Sequence, residues 1–126
     1  MANLAVPRRR RRAGGGGEAA AQAPKQEKAV AARLGGHRVR GSGSGYVKGD
    51  VRVTGIARVE LKSTTASSFR VTMDMIKKIE EAAASGGTEV PAIEIDMLDG
   101  FGRMRKSIAV IPVWALEVLI DAAKKS

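Results

Sequence analysis

The chain contains no cysteine and very few aromatic residues, and each shortage excludes a class of protein. Without cysteine there can be neither a disulfide scaffold nor a thiolate metal site. Aromatic residues make up 3% of the chain, so it lacks the surface set on which single-strand binders stack unpaired bases. No P-loop, zinc-ligand cluster or Ser/His/Asp set is visible either.

Long apolar runs are also missing. The most apolar stretch, IAVIPVWALEVLI at 108–120, is interrupted by Pro112 and Glu117. It is shorter than the ~20 residues that a membrane-spanning helix needs. The N-terminal residues lack the apolar segment of a secretory signal. We therefore expect a soluble, cytoplasmic protein with no membrane partner.

Positive charge is concentrated at the start of the chain. The formal net charge is +9, of which residues 1–40 carry +8 and residues 41–126 carry +1. Arg8–Arg12 followed by Gly14–Gly17 cannot bury enough apolar surface to offset the entropy of ordering. The sequence therefore predicts a disordered basic arm over 1–23, suited to a polyanion, and a single domain over 24–126.

Hydrophobic periodicity and turn residues predict an α/β fold. We expect a first helix from Pro24 to Leu34, stopped by Gly35 and Gly36. The further predicted elements are an extended piece at 37–40, a Gly/Ser loop at 41–45, a hairpin over 50–64 split at Thr54 and Gly55, a helix within 68–87, strands at 91–97 and 103–111, and a last helix after Pro112. The order αβββαβ, followed by a strand and a helix, predicts a mixed β-sheet flanked by helices.

Three residues in the predicted hairpin have the chemistry of a metal-dependent nuclease. Glu60 and Lys62 are two apart on a strand and so project to one face, and Asp50 lies on the neighbouring arm. Mg²⁺ prefers carboxylate oxygens, and a nearby ammonium can stabilise developing charge. A two-residue turn would place Asp50 opposite Val59, so the site requires a longer turn or a bulge. The alternative is that Glu60 and Lys62 are neighbours on a solvated strand face.

The segments GSGSGYVKGDVRV and ARVELKST, with a helix before them, resemble the PD-(D/E)xK nuclease superfamily over about residues 24–97. The most similar group is the archaeal-type Holliday junction resolvases, some of which are carried by phages. The resemblance implies a restriction-endonuclease-like core, in which Gly49 replaces the usual proline before the aspartate. It also implies a homodimer in the cytoplasm, or in the host cytoplasm for a phage protein, that acts on branched DNA and takes no small-molecule substrate.

The resemblance assigns the following roles to residues of this chain. The catalytic set it implies is Glu27, Ser44, Asp50, Glu60 and Lys62, with Ser42 a weaker candidate than Ser44 for the loop serine near the scissile phosphate. The ligands it implies for Mg²⁺, which Mn²⁺ can replace, are Asp50, Glu60, the Leu61 carbonyl and Glu27. Glu27 also shares a helical stripe with Val30, Ala31 and Leu34, so it should face the protein.

Basic residues around this site are candidates for phosphate contacts, which position DNA without reading its bases. They are Arg38, Arg40, Lys48 and Arg52, with Ser42 on the loop and Arg8, Arg9, Arg10, Arg11 and Arg12 on the arm. Ordinary surface charge is the alternative for the first four.

Other residues have simpler interpretations. Glu94 and Asp96 are interpreted as solvated strand positions, although Glu94 could face the site. His37 is interpreted as an exposed strand end, and Met73 and Met75 are interpreted as core residues. Trp114, Val118 and Leu119 could pack on the sheet or form a dimer interface.

Three functions remain open from the sequence. The first is a metal-dependent endonuclease that resolves four-way junctions by paired symmetrical nicks. The second is a nuclease of the same superfamily acting on other branched or duplex DNA in repair or degradation. The third is a basic DNA-binding protein without catalytic activity, in which the carboxylates are incidental.

Overall fold

The computed structural model describes the backbone of residues 15–39 and 50–126, with side chains from Pro24 onward. Its elements are α1 (Gly15–Leu34), β1 (His37–Arg38), β2 (Val51–Val53), β3 (Ala57–Thr64), α2 (Met73–Ala84), β4 (Val90–Leu98), β5 (Met104–Val110) and α3 (Val113–Lys125). This is an α/β fold with a mixed sheet flanked by helices, as predicted.

The sheet has five strands in the order β1-β2-β3-β4-β5. Its strands pair antiparallel except for β3 and β4, which are parallel and are connected through α2. Because β2 runs against β3, the start of β2 lies at the same end of the sheet as the ends of β3 and β4. The residue before β2, Asp50, is therefore brought to the end where β3 carries Glu60 and Lys62.

Two small hydrophobic cores lie on opposite faces of this sheet. On one face α1 packs against β2 and β3, and its buried members are Val30, Ala31, Val51, Val59 and Leu61. On the other face α2 packs against β4, and its buried members are Ile79, Ala82, Ile93 and Ile95. The strand alternation that sends Val59 and Leu61 toward α1 sends Glu60 and Lys62 toward the other face.

Helix α1 begins at Gly15, whereas the sequence predicted a start at Pro24. The segment before Pro24 is rich in alanine, which favours helix, although proline supplies no backbone N–H. The helix ends as predicted: Gly35 has a φ of 73°, and the Gly36 N–H donates to Ala31 O at 2.9 Å. A Cβ on Gly36 would lie 2.4 Å from Arg52 O, so only glycine lets β2 pass this close.

The hairpin has the longer turn that the candidate site requires. Val53 pairs with Ala57, so the turn contains three residues, Thr54, Gly55 and Ile56. Gly55 has a φ of 78°, and the Ile56 N–H donates to Val53 O at 2.8 Å. Val51 pairs with Val59 in this register, and the preceding residue, Asp50, also donates its N–H to Val59 O at 2.8 Å, as at a β-bulge. The sequence required either a longer turn or a bulge near the start of the strand for the candidate site, and the turn is one residue longer than two.

Helix α2 spans Met73–Ala84, inside the range 68–87 within which it was predicted. Thr72 caps it, since its Oγ1 accepts a hydrogen bond from Met75 N at 3.2 Å. The buried stripe of α2 contains Ile79 and Ala82, with Met75 packed against them, so the prediction of Met75 as core is confirmed. The prediction of Met73 as core is wrong: it is 74% exposed in the first turn, off that stripe.

Helix α3 is attached to the domain mainly at its start. Ala115 is fully buried, and Trp114 Nε1 donates to Glu80 Oε2 on α2 at 3.0 Å. Beyond this first turn the large apolar side chains of the helix are exposed. No helix in the described part of the chain combines the length and apolar character needed to cross a bilayer.

Candidate active site

Asp50 is fixed between two strands by its backbone and by its carboxylate. Its N–H donates to Val59 O at 2.8 Å, and its carbonyl accepts from Val39 N at 3.0 Å. Its Oδ2 accepts a hydrogen bond from Leu61 N at 2.8 Å. The Asp50 carboxylate therefore lies beside the Glu60–Leu61 peptide, eleven residues later in the chain.

Glu60 and Lys62 form an ion pair on the neighbouring strand. Lys62 Nζ lies 3.4 Å from Glu60 Oε2, and both side chains are partly exposed. The N–H and C=O of one strand residue point to the same side, so the Leu61 carbonyl also lies on the Asp50 side of β3. Two carboxylates, a backbone carbonyl and an ammonium are thus supplied by four residues of one hairpin.

Glu27 does not join these groups in a three-acid cluster. Its Oε1 accepts from Arg38 Nε at 3.1 Å, with its side chain largely buried as the helical stripe predicted. It projects from α1, which covers the face of β3 opposite to Glu60 and Lys62. Among the described residues, no group of three or more His, Cys, Asp or Glu side chains could hold a metal ion. The placement does not bring Glu27 into the ligand set that the resemblance implied.

The remaining donors still match magnesium chemistry. Mg²⁺ is commonly bound by one or two carboxylates, with waters and substrate phosphates completing its octahedron. Asp50 and Glu60 supply two hard oxygen donors on adjacent strands, held in place by the Leu61 hydrogen bond and the Lys62 ion pair. Softer metals that prefer thiolate or imidazole would find neither here, because the chain has no cysteine and its one histidine, His37, lies on β1.

Gln26, which the sequence analysis did not single out, connects α1 to the strand of the candidate site. Its Nε2 donates to Lys62 O at 3.1 Å and to Asp96 Oδ2 at 3.0 Å. It lies one helical turn before the buried Val30, and this i, i+4 spacing is the signal that could have identified it. Gln26 fixes the backbone of Lys62 from the α1 side of the sheet.

A buried ion cluster holds the opposite, turn end of the hairpin. The Glu89 carboxylate accepts from Arg58 Nε at 2.9 Å, from Arg52 Nε and from Gly55 N at 3.1 Å. The side chains of Glu89 and Arg58 are 0% and 3% exposed. Burial tends to raise the Glu89 pKa, but the hydrogen bonds from Arg52 and Gly55 and the two arginine charges outweigh it, so the pKa is lowered.

This cluster changes the interpretation of Arg52. The sequence suggested that Arg52 contacts phosphates near the site, but its guanidinium is bound to Glu89 at the turn. Arg52 and Arg58 are direct cross-strand partners, and such like-charged pairs destabilise a sheet unless a counter-charge is present. Two arginines at paired positions of the hairpin were the signal in the sequence that could have predicted an acid such as Glu89, which the sequence analysis did not name.

Glu94 and Asp96 are buried, so the prediction that they are solvated is wrong. Strand β4 is central, and α1 covers the face on which both lie. Arg33 of α1 donates to Glu94 Oε2 at 2.7 Å, and Ser107 donates to Asp96 Oδ1 at 2.7 Å. Burial raises the Glu94 pKa, Arg33 lowers it in part, and Asp96 adds to the rise. Both acids lie on the α1 face, away from Glu60.

The other candidate DNA contacts are placed as follows. Arg38 is exposed but paired with Glu27, and His37 is exposed at a strand end as expected. The loop candidates Arg40, Ser42, Ser44 and Lys48, and the arm candidates Arg8, Arg9, Arg10, Arg11 and Arg12, lie outside the described residues.

Comparison with known proteins gives no relative: no protein family model, no curated protein and no solved structure matches this chain. Its function must therefore be argued from the geometry of the hairpin and from the surface around it.

Proposed function

We propose that the protein is a metal-dependent, structure-selective DNA endonuclease of the PD-(D/E)xK type, with a restriction-endonuclease-like core. We propose that it resolves four-way junctions by paired symmetrical nicks. The observation that carries this proposal is the Asp50 carboxylate hydrogen-bonded to Leu61 N, inside the E-x-K tripeptide whose Glu60 and Lys62 form an ion pair. The strand order and the α2 connection between parallel β3 and β4 are consistent with that core.

In this proposal each hairpin residue has a distinct task. Asp50 and Glu60 hold the metal, and the Leu61 carbonyl is the third protein donor. A bound Mg²⁺ supplies Lewis-acid polarisation of the phosphate and a more acidic water. The Lys62 ammonium orients the attacking water and stabilises negative charge on the phosphoryl oxygens. Hydrolysis breaks the P–O3′ bond and leaves a 5′-phosphate and a 3′-hydroxyl.

Paired nicks require two active sites, and the exposed face of α3 supports a homodimer. Trp114, Leu116, Val118, Leu119 and Ile120 are each between 41% and 47% exposed. A helix with apolar residues around most of its circumference is normally buried on several sides. A twofold dimer through α3 would cover these side chains and would match the near-twofold symmetry of a four-way junction.

Cleavage of a labelled four-way junction in Mg²⁺, compared with linear duplex and splayed arms, tests the proposal. We expect symmetrical nicks on the junction, and at least about 100-fold slower cleavage by Asp50→Asn, with junction affinity unchanged. The substituted amide oxygen can still accept from Leu61 N, so the hairpin should be preserved. Asp74→Asn, an exposed acid at the start of α2, is the matched control and should cut normally.

Three results would contradict part or all of this function. Equal cutting of all three substrates would indicate a general nuclease. Junction binding without cutting would indicate a non-catalytic DNA-binding protein. Full-rate cleavage by Asp50→Asn would show that the hairpin is not the active site.

A further inference from the structure

The turn between β4 and β5 presents one aromatic ring to solvent in a fixed position. Phe101 is 86% exposed, the largest exposure among the large hydrophobic residues described. The Arg103 guanidinium lies over this ring, 5.1 Å from its centroid. Phe101 makes no contribution to either hydrophobic core. Its exposure is therefore unexplained by folding.

The turn that carries this ring is held by a dense set of hydrogen bonds. Asp99 Oδ1 accepts from Phe101 N at 2.8 Å and from Arg103 N at 2.9 Å, and Asp99 Oδ2 accepts from Arg103 Nε at 2.9 Å. Gly102, with a φ of 81°, donates its N–H to Asp99 O at 3.0 Å. These bonds lower the pKa of Asp99, so its carboxylate stays charged and bonded at neutral pH. A ring on such a turn is preorganised and loses little entropy on binding.

The position of the turn relates it to the candidate active site. Lys62 on β3 pairs with Ile95 on β4, and β4 ends three residues later at Leu98. At about 3.3 Å per residue the turn begins roughly 10 Å beyond Lys62, at the same end of the sheet. Arg103 lies over the ring, and Arg105 and Lys106 follow it, exposed, in the first residues of β5, so all three supply positive charge for phosphates.

We infer that Phe101 is a wedge that inserts between base pairs at the branch point of the DNA, while Arg103 and its basic neighbours hold the flanking phosphates. The inference rests on the proposed action on branched DNA, and it makes the β4–β5 turn the element that selects structure. Base pairs at a branch point lack a continuous stack on one side, so a ring enters there at low cost. A continuous duplex must first be unstacked, at a few kcal/mol per step.

Binding of a four-way junction and of matched duplex in EDTA, where a metal-dependent cut cannot occur, tests the wedge. We expect Phe101→Ala to raise the junction Kd by about 10-fold or more and the duplex Kd by less than about 2-fold. Phe101→Tyr keeps a ring and should bind the junction as the native chain does. Ile56→Ala, at the exposed β2–β3 turn, is the matched apolar control and should leave both Kd values unchanged.

A second readout separates stacking from a general loss of affinity. With 2-aminopurine at the branch point, the native chain should change the probe's fluorescence on binding, and Phe101→Ala should abolish that change at saturating protein. A probe in the middle of an arm should not respond. Because Phe101 is outside both cores, its replacement should leave the circular dichroism spectrum and melting curve unaltered.

The outcomes distinguish this inference from the proposed function. Unchanged junction binding by Phe101→Ala, in a protein that still cuts junctions in Mg²⁺, would overturn the wedge alone. A Phe101-dependent junction affinity in a protein that never cuts would support the wedge and reject the nuclease. Equal losses on junction and duplex would overturn branch-point insertion, and failure to bind any DNA would overturn both proposals.

Discussion

At the scale of single residues, Glu89 determines whether the hairpin can keep its register. Two arginines lie directly across from each other near the turn, and the Glu89 carboxylate accepts a hydrogen bond from each of them. A Cβ on Gly86 would lie 2.3 Å from the Glu89 carboxyl carbon, so a glycine there makes room for the cluster. The register so fixed pairs Val51 with Val59, next to Asp50, whose carboxylate accepts from Leu61 N.

Glu89→Gln should therefore destabilise the domain strongly. Removing the charge of one partner of a buried ion pair, here that of Glu89 beside Arg58, costs about 3–5 kcal/mol. Urea unfolding followed by circular dichroism would measure the change in the free energy of unfolding. Glu81→Gln, at an exposed position on α2, should change it by less than about 0.5 kcal/mol. A loss no larger than that of the control would show that the cluster contributes little.

The contribution of Glu89 should also make the free energy of unfolding depend on pH. Because the folded state lowers the Glu89 pKa below 4.5, the folded state binds fewer protons there than the unfolded chain. This contribution to stability is complete above pH 4.5 and is lost as the pH falls through the lowered pKa. Glu94 acts with the opposite sign: its pKa is raised, so its ionisation reduces stability as the pH rises above 4.5. Glu89→Gln should reduce the dependence of the free energy of unfolding on pH below pH 4.5 and leave its dependence above pH 4.5 unchanged.

At the scale of elements, the sequence predicted the sheet and helices well because their periodicity and turn residues are local signals. Residue types alone predict both ends of the hairpin, the end of α1 at Gly35 and Gly36, and the strand before Asp99. The extension of α1 before Pro24 was not predicted, because proline is a strong breaker and the alanines ahead of it were interpreted as low complexity.

The candidate site was predictable only in part, for a physical reason. Glu60 and Lys62 share a face through strand geometry, and Asp50 follows from the hairpin, so these three are local consequences of one register. The position of Glu27 depends on which face of the sheet α1 covers, a tertiary choice that the helical stripe does not encode. The burial of Glu94 and Asp96 depends on the same choice.

Helix α3 leads to a prediction about assembly. We expect the native chain to have a mass of about 27 kDa by light scattering at micromolar concentration, twice the 13.3 kDa of one copy. Leu116 and Ile120 lie one turn apart on exposed α3 surface, and charges there would oppose burial. Leu116→Glu combined with Ile120→Glu should give a monomer near 13 kDa.

A matched variant separates this interface from a general effect of altered charge. Glu117→Gln lies on the same helix at an exposed polar position and should remain a dimer. The doubly charged variant should retain its circular dichroism spectrum, because neither side chain belongs to a core cluster. A native chain that scatters as a monomer would reject the α3 dimer and with it the paired geometry of the nicks.

At the scale of the whole molecule, the net positive charge and the candidate active site lie in different parts of the chain. Residues 1–40 carry +8, whereas residues 41–126, which hold Asp50, Glu60 and Lys62, carry only +1. For the proposed function, affinity for DNA and selection of its structure can therefore vary independently. Contacts to phosphates give salt-dependent affinity through counterion release and carry no information about shape or sequence.

Replacement of Arg8, Arg9, Arg10, Arg11 and Arg12 by alanine should therefore weaken DNA binding without changing what is cut. Each lost phosphate contact reduces the slope of log K against log salt by about 0.9 on duplex, so up to about 4.5 for five contacts. Fluorescence anisotropy between 50 and 200 mM salt would measure that slope on junction and on duplex.

The nick positions and the ratio of junction to duplex affinity should stay constant, because the hairpin and the β4–β5 turn are untouched. Lys124→Ala with Lys125→Ala removes two exposed positive charges from α3; it is the control for loss of positive charge elsewhere and should leave the slope nearly unchanged. An unaltered slope after loss of the five arginines would assign the affinity to the domain itself, and shifted nicks would give the arm a role in positioning.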